Sequence, residues 1–454
     1  MIFTFVFMLV LMTIIVALVG YAQVQIKSHR QAVQREAGLS IAEAGAELAI
    51  WKLNNQGGYN GESNTAYGNG VYSVTITNIG LTTKLLTIES FVPDITNPIA
   101  YRKIQVTTTT GSANVGFNYG VQAGDGGIKM DNNSTLNGNI YSNGNIVGAP
   151  NNVRITGNAI VAGPTGKISD VNGVSGGIGG NATAHFLEDV KVGGNTDSYD
   201  LEDSAVTGNV VATTISDCAG TVGGDAIYDT KVSCTVAGTE TTPNPDDFVD
   251  PASEPLPILD AQIASWEQDA LDGGTIGSQT ISTSTSLGPK KIAGDLILTN
   301  NVTLTVTGTL WVTGSITLNQ GTTLELSSGY GAQSGVVVAG ITGDTTAGFI
   351  DAQNGSEING SGTAGSYTML LSQRNDTTDT AIRVSNNAAG AIFYAGNGVL
   401  EVSNNARGKE LTGYKIHLNQ GATITYESGL GSAQFGSSAS GGWAMLTQSW
   451  QLLQ

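Results

Sequence analysis

The chain begins with a long uncharged segment that leads into an amphipathic one. No charged residue precedes Lys27, and Gly38 is the only glycine or proline between Gly20 and Ile41. Further on, apolar residues recur at three- and four-residue steps, the spacing of one face of an α-helix. These positions are Ile41, Ala44, Leu48 and Trp51, and the opposite face carries Glu36, Glu43, Glu47 and Lys52. The pattern predicts one helix over residues 1–54, ended by the run Asn54, Asn55, Gly57 and Gly58.

The apolar segment differs from a secretory signal. A signal has a basic start and an apolar core of about 7–15 residues, whereas this segment has no basic start and is longer. As a helix, residues 1–26 extend about 39 Å, more than the roughly 30 Å hydrocarbon core of a bilayer. The segment is therefore long enough to span a membrane. A single-pass anchor and the stalk of an assembling subunit both remain open.

A strand pattern follows the helix. Three stretches within residues 71–110 alternate apolar and polar positions: VYSVTITNIG, KLLTIESFV and IAYRKIQVTTTT. This period of two is typical of strands with one buried face. We predict a small antiparallel sheet within residues 55–112, packed on the second half of the helix.

Residues 113–242 repeat a short motif of Gly and Asn or Asp followed by apolar residues. It starts at positions 138, 144, 157, 180, 208, 224 and again at 294, and with the Gly-Asn pair at 194 the steps between 180 and 224 are 14, 14 and 16 residues. Strands this short cannot bury a face alone, so they must stack on one another. The spacing predicts a parallel β-solenoid.

A second repeat lies within residues 290–454. The stretches ITLNQGTTLELSSGYG (316–331) and IHLNQGATITYESGLG (416–431) match at a separation of 100 residues, and VSNN occurs at 384 and 402. We predict a right-handed parallel β-helix here, with a β-sandwich as the alternative. Trp443 and Trp450 in the closing tail are expected to cap an end of this domain, or alternatively to contact sugars. The fold class is thus mainly β with a long N-terminal α-helix.

A proline-rich acidic segment, residues 243–289, separates the two repetitive parts. The five prolines within residues 243–257 predict an extended chain at first. Asp260 is then expected to cap a short helix over residues 261–271, with Ile263, Trp266 and Ala270 on one face. We interpret this helix as a bridge or cap at the end of the solenoid.

Composition narrows the function. The net charge of −18 and the absence of a basic stripe argue against a nucleic-acid partner. Only 12% of residues are charged and 62 are glycine, which is typical of short strands joined by tight turns. The two cysteines, Cys218 and Cys234, either form one disulfide, as an exported protein allows, or remain two buried thiols.

The N-terminal half of this pattern resembles a known family. An apolar then amphipathic helix that leads into a small sheet is similar to type IV pilins, and QREAGLSIAEAGAELAIWKLNN resembles the helix of PilX-type pilin-like proteins. In that family a peptidase removes a short leader, and a start at Met1 fits such a processed product. Most bacterial pilins carry a glutamate where Phe5 stands here, and its absence leaves open whether the chain is a major, minor or tip subunit. The second part resembles large surface proteins with pilin-like N termini.

The resemblance implies a partner, a location and a set of assembly residues. It implies a homo-oligomeric filament built through N-terminal helices, inserted in the inner membrane before assembly and extracellular afterwards. The helix residues that would carry assembly are Met1, Phe3, Phe5, Phe7, Leu11, Ile15, Leu18, Ile41, Leu48 and Trp51.

Sequence motifs of catalysis are lacking. None of the three histidines, His29, His185 and His417, is followed three or four residues on by another histidine or a cysteine, and no P-loop or HExxH motif occurs; the single GxSxG match, residues 173–177, falls within the Gly-rich repeats. The acidic residues of the repeats are scattered. We therefore expect no enzymatic activity, no cofactor and no metal site, although Asp- and Asn-rich turns leave calcium open.

Three functions remain, in this order. The first is a structural subunit of a type IV pilus-like filament whose β-rich part is displayed for adhesion to glycans or other cells. The second is a membrane-anchored monomeric surface adhesin. The third is a polysaccharide-active β-helix enzyme.

Overall fold

The computed structural model describes residues 2–56, 59–79, 83–110, 112–149, 152–173, 176–390, 392–436, 443–445 and 449–453. The chain is mainly β with one long N-terminal helix, a small antiparallel sheet and a very large parallel sheet. It divides into two compact units, Met1–Gly111 with Gly441–Gln454, and Ser112–Ser440. We call the first the helix–sheet unit and the second the parallel-sheet unit.

The elements follow one another along the chain with these bounds. The first are α1 (Ile2–Asn55), β1 (Gly61–Tyr67), β2 (Gly70–Asn78), β3 (Thr83–Val92) and β4 (Ala100–Thr110). Next come β5 (Ser112–Val115), β6 (Val121–Met130), β7 (Thr135–Asn137), β8 (Ile140–Ser142), β9 (Ile146–Val147), β10 (Arg154–Ile155), β11 (Ala159–Val161), β12 (Lys167–Ser169), β13 (Gly177–Ile178), β14 (Ala182–Glu188), β15 (Lys191–Val192), β16 (Thr196–Glu202), β17 (Ala205–Val206), β18 (Val210–Ser216), β19 (Thr221–Val222), β20 (Ala226–Ile227), β21 (Thr230–Val232), β22 (Thr235–Val236) and β23 (Glu240–Thr241). The last are α2 (Asp260–Asp272), β24 (Thr275–Ile281), β25 (Thr285–Leu287), β26 (Lys290–Leu298), β27 (Thr303–Val306), β28 (Leu310–Val312), β29 (Ile316–Leu318), β30 (Thr323–Leu326), β31 (Gly335–Ala339), β32 (Ile350–Ala352), β33 (Glu357–Asn359), β34 (Thr368–Ser372), β35 (Asp376–Val384), β36 (Ile392–Val402), β37 (Arg407–Gly408), β38 (Glu410–Leu418), β39 (Thr423–Thr425), β40 (Ala433–Gly436), β41 (Trp443–Met445) and β42 (Gln451–Leu452).

The helix–sheet unit contains the predicted antiparallel sheet. Strands β1, β2, β3 and β4 pair in chain order, and the three strands expected within residues 71–110 correspond to β2, β3 and β4. Strand β1 is additional to the prediction. Its sequence, GESNTAY, lacks apolar alternation because it is an edge strand with mostly exposed side chains.

The C-terminal tail belongs to this same sheet. Strand β41 pairs with Thr108–Thr110 of β4, and β42 pairs with Ile104 and Gln105. The expected capping of the second β-rich domain by the tail is therefore wrong. A physical reason is that β4 would otherwise expose an unpaired edge, which the tail covers with hydrogen bonds. The entire parallel-sheet unit is thus inserted between two strands of the small sheet.

Helix α1 packs on the sheet through its small residues. The buried helix positions are Gly38, Ile41, Ala42, Gly45, Ala46 and Ala49. They lie against the large buried side chains of the sheet, Tyr72, Leu86, Ile88 and Ile104. The expected face through Ile41, Ala44, Leu48 and Trp51 is right at Ile41 and in part at Leu48, which is half-buried against the same core, and wrong at Trp51, which is 55% exposed. Small residues let the helix backbone approach the sheet closely, and the large side chains that fill this interface come from the sheet.

The interior of the parallel-sheet unit is built from in-register aliphatic ladders. All described strand pairs from β6 to β39 are parallel, unlike the antiparallel sheets of a β-sandwich. One row crosses twelve repeats with every side chain buried: Leu296, Ile316, Ile350, Ile382, Leu400, Ile416, Ile128, Ile146, Ile168, Leu187, Leu201 and Ile215. Each such side chain contributes roughly 1.5–3 kcal/mol of burial.

The two repetitive parts of the sequence form one stack. Strand β38 near the end of the second part pairs with β6 at the start of the first, and β39 pairs with β7. The aliphatic row continues across this seam from Ile416 to Ile128. In space, therefore, the second part precedes the first.

A connector, residues 242–259, links β23 to α2 across the outer face of the parallel sheet. Side chains of successive strands contact it in spatial order, through the pairs His185–Asp250, Tyr141–Ala252, Asn143–Glu254, Gln122–Pro255 and Tyr394–Ile258. Helix α2 then packs on the sheet with Trp266 fully buried. Asp260 lies in its first turn and is not the N-cap, which is Leu259 without a side-chain bond. Its carboxylate still stabilises the helix, because it lies near the positive end of the helix dipole.

The Gly-Asn motif is a hydrogen-bonded ladder. Each side-chain oxygen accepts from the backbone N–H of the equivalent residue one repeat later, at 2.7–2.9 Å, along the series Asn139, Asn158, Asn181, Asn195, Asn209, Asp225 and Thr239. The preceding glycine is required because a Cβ at Gly208 would lie 2.4 Å from both Asn195 Oδ1 and the carbonyl of Gly194. A substitution of either the Gly or the Asn of the motif therefore also affects its contacts with the preceding repeat.

The second LNQG motif and both VSNN motifs occupy one kind of turn. Asn386, Asn404 and Gln420 all have positive φ, the left-handed region that Asn adopts readily. Their backbones are hydrogen-bonded from repeat to repeat, as in Asn387 N–H to Asn404 O and Asn405 N–H to Gln420 O. Both copies of the 100-residue repeat continue into a short 3₁₀ turn, Ser328–Tyr330 and Ser428–Ser432.

The cysteines are joined. Cys218 and Cys234 form a disulfide with their Cα atoms 4.9 Å apart. Cys218 precedes β19 and Cys234 precedes β22, and these two strands pair with each other in a separate two-stranded parallel sheet. Their separation of 16 residues places them on neighbouring repeats, so the bond links two repeats near one end of the stack.

We expect Asn195→Ala to lower the free energy of unfolding of the parallel-sheet unit by about 0.5–1.5 kcal/mol, because the N–H of Asn209 loses its side-chain acceptor. Hydrogen exchange of the Asn209 amide measures the effect. Asn195→Asp is the matched control, since Asp225 performs the same role with a carboxylate oxygen. Equal protection in the alanine and aspartate variants would contradict the ladder.

We expect Gly45→Leu to destabilise the helix–sheet unit by about 1–3 kcal/mol through overpacking. Even a Cβ at this position lies 2.9 Å from the Tyr72 ring and 3.1 Å from Ile88. Gly20→Leu is the control, because nothing lies within 4 Å of a Cβ there. Faster exchange of the β2 and β3 amides in the first variant alone is the expected result.

Candidate functional site

Helix α1 has a packed part and an exposed part. Its packed part begins at Gly38, whose carbonyl accepts a buried 2.7 Å hydrogen bond from Ser90. N-terminal to it, apolar side chains are open: Leu18 is 61% exposed, Tyr21 65% and Ile26 55%. No described residue of the helix–sheet unit covers them.

The structure places four of the expected assembly residues. Ile41 is buried against the sheet, Leu48 is half-buried, and Leu18 and Trp51 are exposed. Met1 and the side chains of Phe3, Phe5, Phe7, Leu11 and Ile15 lie outside the described part of the chain. In the described part, no helix combines the length and the apolar character needed to cross a membrane.

A charged network fastens the end of α1 to the sheet. Glu62 accepts hydrogen bonds from Lys52 at 2.6 Å, Thr65 at 2.9 Å, Tyr59 at 3.0 Å and Tyr72 at 3.1 Å. Burial raises the pKa of Glu62, but these four donors outweigh it and hold the pKa below its ordinary value. Burial together with the nearby carboxylate raises the pKa of Tyr72 to about 12. The carboxylate therefore stays charged and holds the helix at a fixed angle to β1 and β2.

The outer face of the parallel sheet carries a row of alternating charges across the seam. Register places Asp351, Arg383, Glu401, His417 and Lys129 side by side on successive strands. Arg383 donates two hydrogen bonds to Asp351, at 3.0 and 2.6 Å. This arrangement was not predicted, because Lys129 and His417 are 288 residues apart and no local motif marks their pairing.

Asp131 closes this row on the far side of the seam. Its carboxylate lies 2.8 Å from Lys129 Nζ and 2.9 Å from His417 Nε2. Burial raises the pKa of Asp131, and the hydrogen bonds of Lys129 and His417 outweigh it and lower the pKa. The acidic and basic side chains of the row thus neutralise one another, which is typical of a structural ion-pair ladder. Little charge is left to bind a ligand.

His185 lies in an aromatic cluster under the connector. Its ring stacks on Tyr199 with centroids 4.6 Å apart, and its Nδ1 is 2.8 Å from Asp250. Phe186 and Phe248 meet the same ring edge-on. Because the cluster fixes the connector to β14 and β16, we assign it a structural role.

Depressions open on the described surface of this unit. One of about 810 Å³ is lined by hydroxyl and amide groups, including Thr305, Ser327, Asn359 and Ser361, with Glu325 as its carboxylate. Another, about 220 Å³, lies between the connector and the sheet, and a third, about 280 Å³, has Arg154 and Lys191 in its lining. Among the described residues, no group of three or more His, Cys, Asp or Glu side chains is placed to hold a metal ion.

Comparisons with known proteins add little. No protein-family model and no curated protein matches the chain. Among solved structures, the chain is similar to the competence-associated pilin ComZ from Thermus thermophilus, with 13% identity and a TM-score of 0.22 over 93% of this chain and 98% of that one. A TM-score of this size does not establish a common fold, so function has to be argued from the residues of this chain.

We expect Glu62→Gln to lower the stability of the helix–sheet unit by about 2 kcal/mol at pH 7, since the charge-assisted hydrogen bonds of Glu62 are lost. Because the folded pKa of Glu62 is depressed, this contribution is present above the unfolded pKa and disappears as the pH falls through the folded value. The difference between variant and wild type should therefore shrink towards pH 3. Hydrogen exchange of the β1 and β2 amides across this range measures it.

Glu43→Gln serves as the control for this effect, because Glu43 is exposed and has no hydrogen-bond partner among the described residues. A pH-independent difference for Glu62→Gln would show that the network stabilises the unit by shape and not by charge.

Proposed function

We propose that the chain is a structural subunit of an extracellular type IV pilus-like filament. The N-terminal parts of α1 from neighbouring copies pack into the filament core, and the parallel-sheet unit is displayed outside for adhesion or surface interaction. The observation that supports the proposal best is the division of α1 into a packed part that begins at Gly38 and an exposed apolar part before it.

The length of α1 before its packed part suits this role. Helix α1 has 54 residues, Ile2–Asn55, which corresponds to about 81 Å at 1.5 Å per residue. Residues 2–37 account for about 54 Å of that length. Residues 2–26 carry no charged side chain, and neighbouring helices or lipid would cover such an apolar segment. Gly20 and Ala22 are small and exposed, which favours close helix–helix contact.

We also propose that the parallel sheets are the faces of one right-handed parallel β-helix. The 14-residue offset between the paired residues Ala182, Thr196 and Val210 supports this architecture, because each offset matches one circuit of a small coil. Such a body resists proteolysis and offers long polar faces, both of which suit an adhesive surface. Surface glycans or other cells are the partners we propose for it.

The alternative is a membrane-anchored monomeric adhesin with the same helix in lipid. Before assembly, the filament model also requires insertion in the inner membrane, so the two differ in the final state only. We propose no enzymatic activity, cofactor or nucleic-acid partner. Release of reducing sugars from polysaccharide by the purified chain would instead favour a polysaccharide-active enzyme.

We expect filaments that react with an antibody to the parallel-sheet unit in material sheared from the producing cells. Leu18→Asp and Ile26→Asp should remove these filaments, because each inserts a charge into the proposed core. Electron microscopy of the sheared fraction measures the effect.

Ile95→Asp and Ile99→Asp are matched controls. These residues are 49% and 61% exposed and lie in the loop between β3 and β4, not on the helix. Recovery of the wild-type chain only from detergent-solubilised membranes would overturn the filament proposal and support the monomeric anchor.

A further inference from the structure

Helix α1 carries two exposed charged segments that find no partner among the described residues of the subunit. Lys27, Arg30 and Arg35 form a basic segment, and Glu36, Glu43 and Glu47 form an acidic one. All six residues are exposed, and none forms an ion pair or side-chain hydrogen bond with another described residue.

The spacing along the helix explains why they stay unpaired. Opposite charges on a helix interact at separations of three or four residues, and no basic–acidic pair in the two segments has that separation. Like charges do: Lys27 and Arg30 are three apart, and Glu43 and Glu47 are four apart. Both pairs repel by a few tenths of a kcal/mol in an isolated helix. A partner of opposite charge would offset that repulsion.

The two segments lie on opposite sides of the helix. At about 100° per residue, Glu36, Glu43 and Glu47 fall within about 40° of one another, opposite the buried face of Gly38, Ala42 and Gly45. The acidic segment therefore covers the back of the helix behind the sheet. The basic segment is centred on the sheet side and ends just before the sheet begins, where no described residue covers it.

We propose that the basic segment of one copy binds the acidic segment of a second copy. This inference rests on the filament proposed above and names its lateral contact. The centres of the segments are about 11 residues apart, so parallel copies pair when one is displaced by about 17 Å along the axis. The acidic back of one helix then fits against the open side of its neighbour below that neighbour's own sheet.

The geometry of this contact produces a filament and not a closed dimer. The two surfaces differ and lie on opposite sides of the same helix, so the contact is heterologous. After two copies pair, one still has an unused acidic segment and the other an unused basic segment. The axial displacement prevents these two from meeting and closing a ring. A displaced heterologous contact that repeats generates an open helical assembly.

Charge reversal in the full chain tests the contact. Variant one carries Lys27→Glu, Arg30→Glu and Arg35→Glu, variant two carries Glu36→Lys, Glu43→Lys and Glu47→Lys, and variant three combines all six. We expect loss of sheared filaments in variants one and two. Variant three should recover them, because its reversed segments again complement each other and its net charge is the native −18.

The control is Arg154→Glu, Lys191→Glu and Arg407→Glu, which changes net charge as much as variant one but at exposed sites of the parallel-sheet unit. It should assemble normally. Wild-type filaments should also dissociate as salt rises, since the Debye length falls from about 10 Å at 0.1 M to about 3 Å at 1 M. Circular dichroism of each purified variant checks that α1 still folds.

The outcomes separate this inference from the function on which it rests. Absence of wild-type filaments overturns the filament itself. Normal filaments from variants one and two, or no recovery in folded variant three, overturn the charge contact and leave the filament standing. If variant one alone fails and also loses retention on anionic-lipid vesicles, the basic segment serves lipid headgroups and the contact is again overturned. Should variant three fail to fold, disulfide cross-linking of a chain that carries both Arg30→Cys and Glu43→Cys tests the contact in filaments. The contact predicts a ladder of cross-linked multimers, and the absence of such a ladder overturns it.

Discussion

The pairing of β38 with β6 is the constraint from which the rest of the architecture follows. It joins Ile416 to Ile128 and Leu418 to Met130, and so makes one continuous core from two sequence regions almost 300 residues apart. Without it, each part would end in an unpaired parallel edge with exposed backbone groups and an exposed aliphatic row. With it, the second part must begin at the far end of the stack. The connector has to run the whole way back across the outer face.

That return path determines which side chains the outer face carries. Buried polar groups of an extended chain need partners, and the sheet supplies them from uncharged side chains. Asn143 bonds both the N–H and the carbonyl of Glu254, and Gln122 and Tyr394 donate to carbonyls further on. The five prolines of this segment reduce the number of N–H groups that require such partners. Its proline content is thus a consequence of lying on a sheet.

The repeating features could be recognised from the sequence because each is local. The Gly-Asn steps, the LNQG turns and the apolar character of the repeats need only neighbouring repeats to explain them, and the structure gives each a contact at one repeat's distance. The seam, the charged row from Asp351 to Lys129 and the return of the tail to β4 have no local signal. They depend on which strand, distant in the sequence, each strand pairs with. The alternation of apolar and polar residues along a strand does not specify that partner.

The face of α1 was misjudged for a different reason. A search for large apolar residues at helical spacing finds Leu48 and Trp51, but the sheet already supplies Tyr72 and Ile88 to the same layer. Interiors are close-packed, so bulk on one side requires small residues on the other. The sequence signal was therefore the run of Gly and Ala, AEAGAELA, and not the large residues within it.

The same packing rule explains how one helix can serve two kinds of contact. Because the helix packs on the sheet mostly through small residues, Gly38, Ala42 and Gly45 among them, the carboxylates of Glu43 and Glu47 are left on the far side, where they neither weaken the core nor gain from it. A helix that packed through a broad belt of leucines would leave less of its circumference for polar groups. Close approach through small residues thus leaves the far side of the packed part of α1 available to other molecules.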